Sequence, residues 1–302
     1  MENKPLVTVI CLCYNHSKYV VESLNSVLNQ EYKNVELIIV DDFSTDNSVI
    51  VIENWLKDKP NTLFIINETN IGSTKSFNKA LNLANGDYIL DLAADDILFE
   101  FCIEYQIQTF IKNTFEKLAI VYGNAWLISE NGDFISHYFE VDKFDKTLQF
   151  KKEGFVYNSI LSGENVLCSV SALYKTSVLR SLGGYDENLA YEDLDIWIRI
   201  SRDHSIAYVD DFLVKKRILS DSLGTEFHKK NSKKSQLINQ STYLILQKAY
   251  QLNRTKLENK ALLKRVHYEM MLNSKNRNLK LLSKWVLFEI KIGMKNILTF
   301  IR

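Results

Sequence analysis

The sequence predicts an α/β fold: a mostly parallel central sheet flanked by helices, followed by a helical C-terminal extension. Three observations predict it. Apolar strand-like runs alternate with helix-period segments four times between residues 6 and 113, the rhythm of right-handed strand–helix–strand crossovers. The 302 residues are 46% hydrophobic with only 10 Gly and 2 Pro, which supports a sizeable core and excludes a disordered, collagen-like or disulfide-stapled chain. From about Ser232 onward the sequence is helical in pattern, Lys-rich and Gly-poor.

The elements follow in order. Leu6–Leu12 is a β-branched apolar run suited to a strand buried on both faces. Ser17–Asn29 has helical apolar spacing, and Val35–Val40 is a second buried strand. Ser44 or Thr45 is expected to cap a helix that ends near Lys57, before Pro60. Thr62–Asn67 reads as a strand, Ser73–Asn85 as an amphipathic helix stopped by Gly86, Asp87–Leu92 as a strand and Ile97–Asn113 as a helix. The rhythm then changes. Ala119–Leu127 and Asp133–Tyr138 flank an Asn131-Gly132 turn, a hairpin signal. Residues 139–160 are irregular, Leu167–Tyr174 reads as a strand, and Thr176–Leu182 and Leu194–Ser201 as helices either side of Gly183-Gly184.

The charge is balanced only in sum. The chain has 37 basic and 37 acidic side chains, yet residues 229–302 hold 17 Lys and Arg against 3 Glu. The first 228 residues are acidic to the same extent. We expect no secretory signal and no transmembrane helix, since no stretch reaches about 18 uninterrupted apolar residues. Cys11, Cys13, Cys102 and Cys168 form no C-x-x-C pair and read as buried free thiols of a cytoplasmic protein.

In open α/β sheets, ligands bind beyond the carboxyl ends of the parallel strands. Acidic pairs fall at such positions: Asp41-Asp42 ends the second strand, Asp95-Asp96 follows the fourth, and Glu192-Asp193 follows the Gly183-Gly184 turn. Solvated surface carboxylates are the ordinary reading of one pair. Two pairs at one sheet edge imply a cation or a hydrogen-bond donor between like charges. Few, hard oxygen ligands suit Mg²⁺ or Mn²⁺ completed by water and phosphate oxygens. No phosphate-cradling glycine loop follows the first strand, where Cys11-Leu12-Cys13-Tyr14-Asn15 stands instead. That argues against a P-loop NTPase or a dinucleotide-dependent dehydrogenase.

Five blocks, V-T-V-I-C-L-C-Y-N, V-D-D-F-S-T-D, N-I-G with F-N-K-A, G-D-Y-I-L-D-L-A-A-D-D and G-G-Y-D-E-N-L-A-Y-E-D-L-D-I-W-I-R, occur in this order across residues 7–199. Together they resemble the family 2 glycosyltransferases, inverting enzymes with a GT-A (nucleotide-diphospho-sugar transferase) fold, of bacterial surface-polysaccharide type. The resemblance implies a nucleotide pocket built by Leu12, Tyr14, Asn15 and the loop of Asp41 and Asp42, with Asp42 accepting the uracil N3–H. It implies that Asp95 faces the ribose or sugar and that Asp96 binds the metal bridging the diphosphate. Asp193 is the implied general base, with Glu192, Trp197 and Arg199 as acceptor contacts or helix support.

The chain departs from the family pattern in places. Ala93 stands where an acid is frequent, and Phe77 where Arg is common. Lys75 or Lys79 is then the source of the lost positive charge, Lys75 being the nucleotide-binding candidate. Arg217 is kept from a Y-R-x-H pattern, but Leu219 replaces its histidine, leaving His228 as a distant substitute.

The expected organisation is a GT-A domain over residues 1–228, its nucleotide half near 1–115 and acceptor half near 116–228, and a basic helical region over 229–302. Along 276–302, lysines alternate with Leu, Trp, Phe and Ile, a pattern suited either to a membrane interface or to packing on the domain. Nucleic-acid binding ranks third and is not expected, because no recognition fold accompanies the charge. The expected partners are a nucleotide sugar, UDP-linked before dTDP- or GDP-linked, a glycan or polyprenyl-linked acceptor, and the inner face of the plasma membrane. A catalytically degenerate scaffold in a polysaccharide assembly complex is the non-enzymatic alternative, and a nucleotidyltransferase the enzymatic one.

Overall fold

The computed structural model describes residues 4–220 and 232–298; the boundary expected at 228, His228, Phe300 and Arg302 lie outside the described residues. The chain forms two compact units. The first comprises Met1–Gly154, Leu167–Tyr185 and His204–Leu219, and the second Phe155–Val166, Asp186–Asp203 and Ser220–Arg302. Residues 155–166 and 186–203, which the sequence pattern grouped with 116–228, thus fold with the C-terminal helices.

The first unit is built on one sheet. Its strands are β1 (Val7–Cys13), β2 (Val35–Asp41), β3 (Leu63–Ile66), β4 (Tyr88–Ala93), β5 (Ile97–Leu98), β6 (Leu118–Ile128), β7 (Phe134–His137), β8 (Leu173–Lys175) and β9 (Ser205–Arg217). They run in the order β3-β2-β1-β4-β8-β6-β9-β5, with β7 on β6. Strands β3, β2, β1 and β4 are mutually parallel, and β6 and β9 also pair in parallel. The contacts of β8, β5 and β7 are antiparallel, so the sheet is mixed beyond β4. Val7, Val9, Ile10 and Cys11 of β1 are fully buried, as a strand covered on both faces requires. Helices α1 (Val20–Leu28), α2 (Ser48–Leu56), α3 (Ser73–Leu81), α4 (Cys102–Lys112) and α6 (Thr176–Ser181) complete this unit.

The register positions the chemistry. Cys13 pairs with Asp41 and Leu12 with Ala93, so β1, β2 and β4 end at the same edge. Gly86 lies against β1 so tightly that a Cβ there would stand 2.5 Å from the Thr8 nitrogen. Neither Ser44 nor Thr45 caps α2: the helix begins at Ser48, with Asn47 at the N-cap position, and Ser44 instead donates its nitrogen and its hydroxyl to Asp41. Ile97 and Leu98 form strand β5 instead of opening a helix, and α4 starts at Cys102. The strand expected over Leu167–Tyr174 shrinks to β8 behind a 3₁₀ turn at Ser169–Ser171.

The second unit is helical. It holds α5 (Tyr157–Ser162), α7 (Asp193–Ser201), α8 (Lys233–Leu252), α9 (Lys256–Lys275) and α10 (Leu279–Leu298). Ser232 caps α8 through the Ser235 nitrogen, and Thr255 with Glu258 forms a capping box on α9. Helix α10 buries Leu281, Trp285, Phe288 and Ile292, one face at helical spacing. Trp285 and Phe288 meet Tyr243 of α8 edge-on.

Candidate active site

In the first unit the loops after β1 and β2 are bolted together. The Asn15 side-chain oxygen accepts from the Thr45 nitrogen at 2.7 Å, and the Asn15 nitrogen donates to Ser44 Oγ at 2.9 Å. Asn15 has φ 58°, a left-handed conformation that asparagine tolerates better than most residues. The His16 nitrogen donates to Ser48 Oγ and the Ser17 nitrogen to Asp46 Oδ2, both at 3.0 Å. Burial opposes the charge of Asp46, but hydrogen bonds from Ser48 and Ser17 outweigh it and hold the carboxyl at about 2. Tyr14 is left 44% exposed at this edge.

Asp41 and Asp42 divide two tasks. Asp41 is fully buried and accepts from the Ser44 nitrogen at 2.8 Å and from Ser44 Oγ at 2.6 Å; it shapes the turn. Asp42 reaches the other way. Its Oδ1 accepts from Asn67 Nδ2 at 3.0 Å and the Ile71 nitrogen at 2.9 Å, and its Oδ2 from the Gly72 nitrogen at 2.8 Å. A carboxylate has about four acceptor positions, so these bonds leave Oδ2 room for one more donor.

The Asp95-Asp96 turn is held from behind by Arg217. Its guanidinium donates to the carbonyls of Asp95, Ser129 and Glu130 and to Glu22 Oε2, at 3.0, 3.1, 2.9 and 2.7 Å. The Arg217 nitrogen donates to Asp96 Oδ1 at 2.8 Å. Asp96 is 3% exposed; burial first, then the Asp95 charge, pushes its carboxyl above the usual carboxylate range. His16 Nδ1 lies 3.6 Å from Asp95 Oδ1 and is buried without a hydrogen-bond partner. Among the described residues no cluster of three or more His, Cys, Asp or Glu could hold a metal ion. A divalent cation fits here only with Asp95 and Asp96 as protein ligands, an incomplete set that phosphate oxygens and water would fill.

The departures from the family pattern have structural counterparts. Phe77 is fully buried and stacks on Tyr185 at 4.0 Å, so this position supplies packing in place of charge. Lys79 donates to the Asn67 oxygen at 2.9 Å, which binds it to the residue that also serves Asp42. Lys75 lies exposed in the first turns of α3. Asp91 stands two residues before Ala93, hence on the same strand face, and accepts from the Tyr185 hydroxyl at 3.1 Å.

The remaining candidates belong to the second unit. Glu192 is the N-cap of α7 and Asp193 its first residue, where the helix dipole favours negative charge. Trp197 is buried in the core. Arg199 Nε donates to Asp195 Oδ2 at 2.7 Å, so it braces its own helix. Sequence reasoning passed over Asp195, whose i, i+4 spacing to Arg199 was a readable signal. It also passed over Lys248, which no local pattern marks.

The model of a family described as Glycosyl transferase family 2 matches residues 8–183. The chain belongs to this family. An uncharacterised glycosyltransferase of Methanocaldococcus jannaschii is 35% identical over 221 residues, 72% of each chain. Among solved structures, TarS 1-349 of S. aureus in complex with UDP-GlcNAc superposes with a TM-score of 0.65 at 18% identity, covering 86% of this chain and 71% of that one. The mannosyltransferase PcManGT of Pyrobaculum calidifontis, solved with GDP-Man and Mn²⁺, gives a TM-score of 0.57 at 14% identity over 98% and 88% of the chains. These likenesses establish the GT-A glycosyltransferase fold. In this family 2 member, the five sequence blocks place Leu12, Tyr14, Asn15, Asp41, Asp42, Asp95 and Asp96 in the first unit and Glu192, Asp193, Trp197 and Arg199 in the second.

Proposed function

We propose that this glycosyltransferase moves a sugar from a UDP-sugar to a glycan or polyprenyl-linked acceptor, with inversion, in surface-polysaccharide biosynthesis. The observation that carries the donor reading is Asp42: its carboxylate is fixed by three hydrogen bonds and keeps acceptor capacity on Oδ2, which suits the N3–H of uracil. Tyr14, exposed beside it, offers a face for the base, and Asp95 a hydroxyl partner for ribose or sugar. TarS with UDP-GlcNAc supports the uridine reading; PcManGT with GDP-Man keeps the donor question experimental.

Asp193 is the proposed base that takes the acceptor hydroxyl's proton as the new bond forms. Asp96, with Asp95, would hold Mg²⁺ or Mn²⁺. Such a cation neutralises charge developing on the departing diphosphate. The orphaned His16 Nδ1 beside Asp95 supports a polar occupant at this turn. No helix among the described residues is long and apolar enough to cross a membrane. We place the enzyme at the cytoplasmic leaflet through α10, whose outer face keeps Leu287, Ile290 and Met294 exposed; liposome flotation reads this directly.

Thermal shift with UDP-GlcNAc, UDP-glucose, dTDP-glucose and GDP-mannose, each with and without Mn²⁺, tests the reading. A ligand at a hundred times its Kd stabilises by about 2.7 kcal/mol. We expect a UDP-sugar to give the largest rise, and Asp96→Ala to lose the Mn²⁺-dependent part. Absence of a shift with all four donors would sink the assignment.

A further inference from the structure

Helix α8 does more than close the second unit. It holds the segment around Glu192-Asp193 at four points. The Ala190 nitrogen donates to Ser241 Oγ at 2.8 Å, and the Tyr191 hydroxyl meets Thr242 Oγ1 at 2.8 Å. One turn and a half further on, Lys248 Nζ binds Asp186 and, at 2.9 Å, Asp195 Oδ1. Asp186 precedes the motif and Asp195 follows it, so one ammonium spans the motif from both sides. Asp186 is itself fixed, accepting from the Asn188 nitrogen and amide at 2.9 and 3.0 Å.

The two arms of this clamp differ in strength. The side chains of Asp186 and Lys248 are 22% and 37% exposed, and a solvent-screened pair contributes little. Asp195 is 2% exposed at its side chain. A carboxylate that deep must be paired, and it has two cations: Arg199 from its own helix and Lys248 from α8. The Arg199–Asp195 pair lies within α7, so that pair does not tie the helix to another element. The Lys248–Asp195 pair joins α7 to α8.

We propose that Lys248 is the positioning residue of the acceptor-side base: through Asp195 and Asp186 it sets the placement of the first turn of α7, and with it Asp193. This rests on the reading of Asp193 as base. It also gives the C-terminal helices a role in catalysis separate from any membrane contact. A displacement of about 1 Å at a reacting group can cost on the order of a hundredfold in rate, so a clamp remote from the reacting atoms can govern kcat.

The test compares Lys248→Met, Lys248→Arg and the double variant Lys248→Met/Asp195→Asn in the full chain. The donor is the nucleotide sugar with the largest thermal shift, UDP-GlcNAc first, and the rate is release of nucleoside diphosphate. For Lys248→Met we expect an unchanged donor-induced thermal shift, donor KM within about twofold, and kcat lower by about tenfold or more. Amide hydrogen exchange over 186–201 should quicken. Lys248→Arg, which can still bridge two carboxylates, should recover most of the rate. The double variant removes the charge left behind and guards against misfolding; it should fold, exchange fast and remain slow. Unchanged kcat and exchange in Lys248→Met, or a wild-type rate in the double variant, overturns the proposal. A wild-type protein that gives no donor shift refutes the functional reading instead, while the exchange comparison still reports on the clamp.

Discussion

In the first unit Asp41, Asp42 and Asp46 are held by backbone N–H groups, hydroxyls and an asparagine amide. In the second, Asp186, Asp195, Glu258 and Glu269 are held by Lys248, Arg199, Arg202 and Arg265. Donation by neutral groups fixes a carboxylate and leaves its charge in place, as a nucleotide pocket needs. Pairing with a cation cancels the charge and turns the acid into a strut. Each unit sets an acid proposed for chemistry near one committed to structure: Asp42 next to Asp41, which closes the Ser44 turn, and Asp193 two residues before Asp195, which pairs with Arg199 and Lys248.

The same contrast explains part of the charge asymmetry. Lys248, Arg254 and Lys264 of the basic region pair with Asp186, Asp195, Asp203 and Glu164, all from earlier segments of the second unit. Some of the opposite charge on the two stretches is thus neutralised when the second unit folds. On α10, Lys280, Lys284 and Lys291 form no ion pair among the described residues.

The largest expected effect separates chemistry from scaffold within one helix. Asp193→Asn should lose glycosyl transfer by about three orders of magnitude, the scale of a removed general base, while stability falls by about 1 kcal/mol or less as the charge at the α7 N-terminus is lost. Donor binding in a thermal-shift assay should persist. An Asp193→Asn enzyme with full activity would return this acid to the structural class.

Arg217 tests the opposite case, an ionic side chain inside the unit that otherwise relies on neutral donors. Its side chain is 2% exposed, although its partner Glu22 is 58% exposed, so the ion pair itself is weak. The cost of removal lies in the three carbonyls that it serves. Arg217→Met should destabilise by about 2–4 kcal/mol in urea unfolding and should weaken donor binding as the Asp95-Asp96 turn loosens. A loss below about 1 kcal/mol would mean that water replaces the guanidinium without consequence.

The parallel half of the sheet was legible in the sequence because β1, β2 and β4 are mostly buried and appear as apolar runs, interrupted within by Thr8, Glu36 and Asp91. Strand β9 was not. Asp210, Asp211, Lys215 and Lys216 interrupt its pattern, and its pairing with β6 shifts register at Asp210-Asp211, so neither alternation nor a continuous run survives. Helix α5 has six residues, too few for a period to show. At the site, adjacent acids at strand ends could be read from order alone. The Lys248 clamp could not, since it joins residues 53 and 62 positions apart and depends on helices whose packing no spacing encodes. The tail set packing against membrane as alternatives, and α10 has a face for each. Leu281, Trp285, Phe288 and Ile292 are buried, while Leu287, Ile290 and Met294 are 68, 49 and 55% exposed.

That outer face bears on whether unpaired lysines have a use. A lysine near an anionic bilayer is worth about 1 kcal/mol, and each buried CH₂ about 0.8 kcal/mol. Lys284 already contacts Gln240 and the Tyr243 ring, so its share is reduced. Leu287→Glu replaces the most exposed of the three apolar side chains with a charge, without touching Trp285 or Phe288 in the core. It should lower partitioning onto anionic liposomes by about tenfold, and raising the salt to about 1 M, where the Debye length is near 3 Å, should weaken wild-type binding as well. Thermal stability should stay within about 0.5 kcal/mol of wild type. Equal flotation of the variant and wild type would show that α10 serves the second unit alone, and its lysines would then be solvated surface like any other.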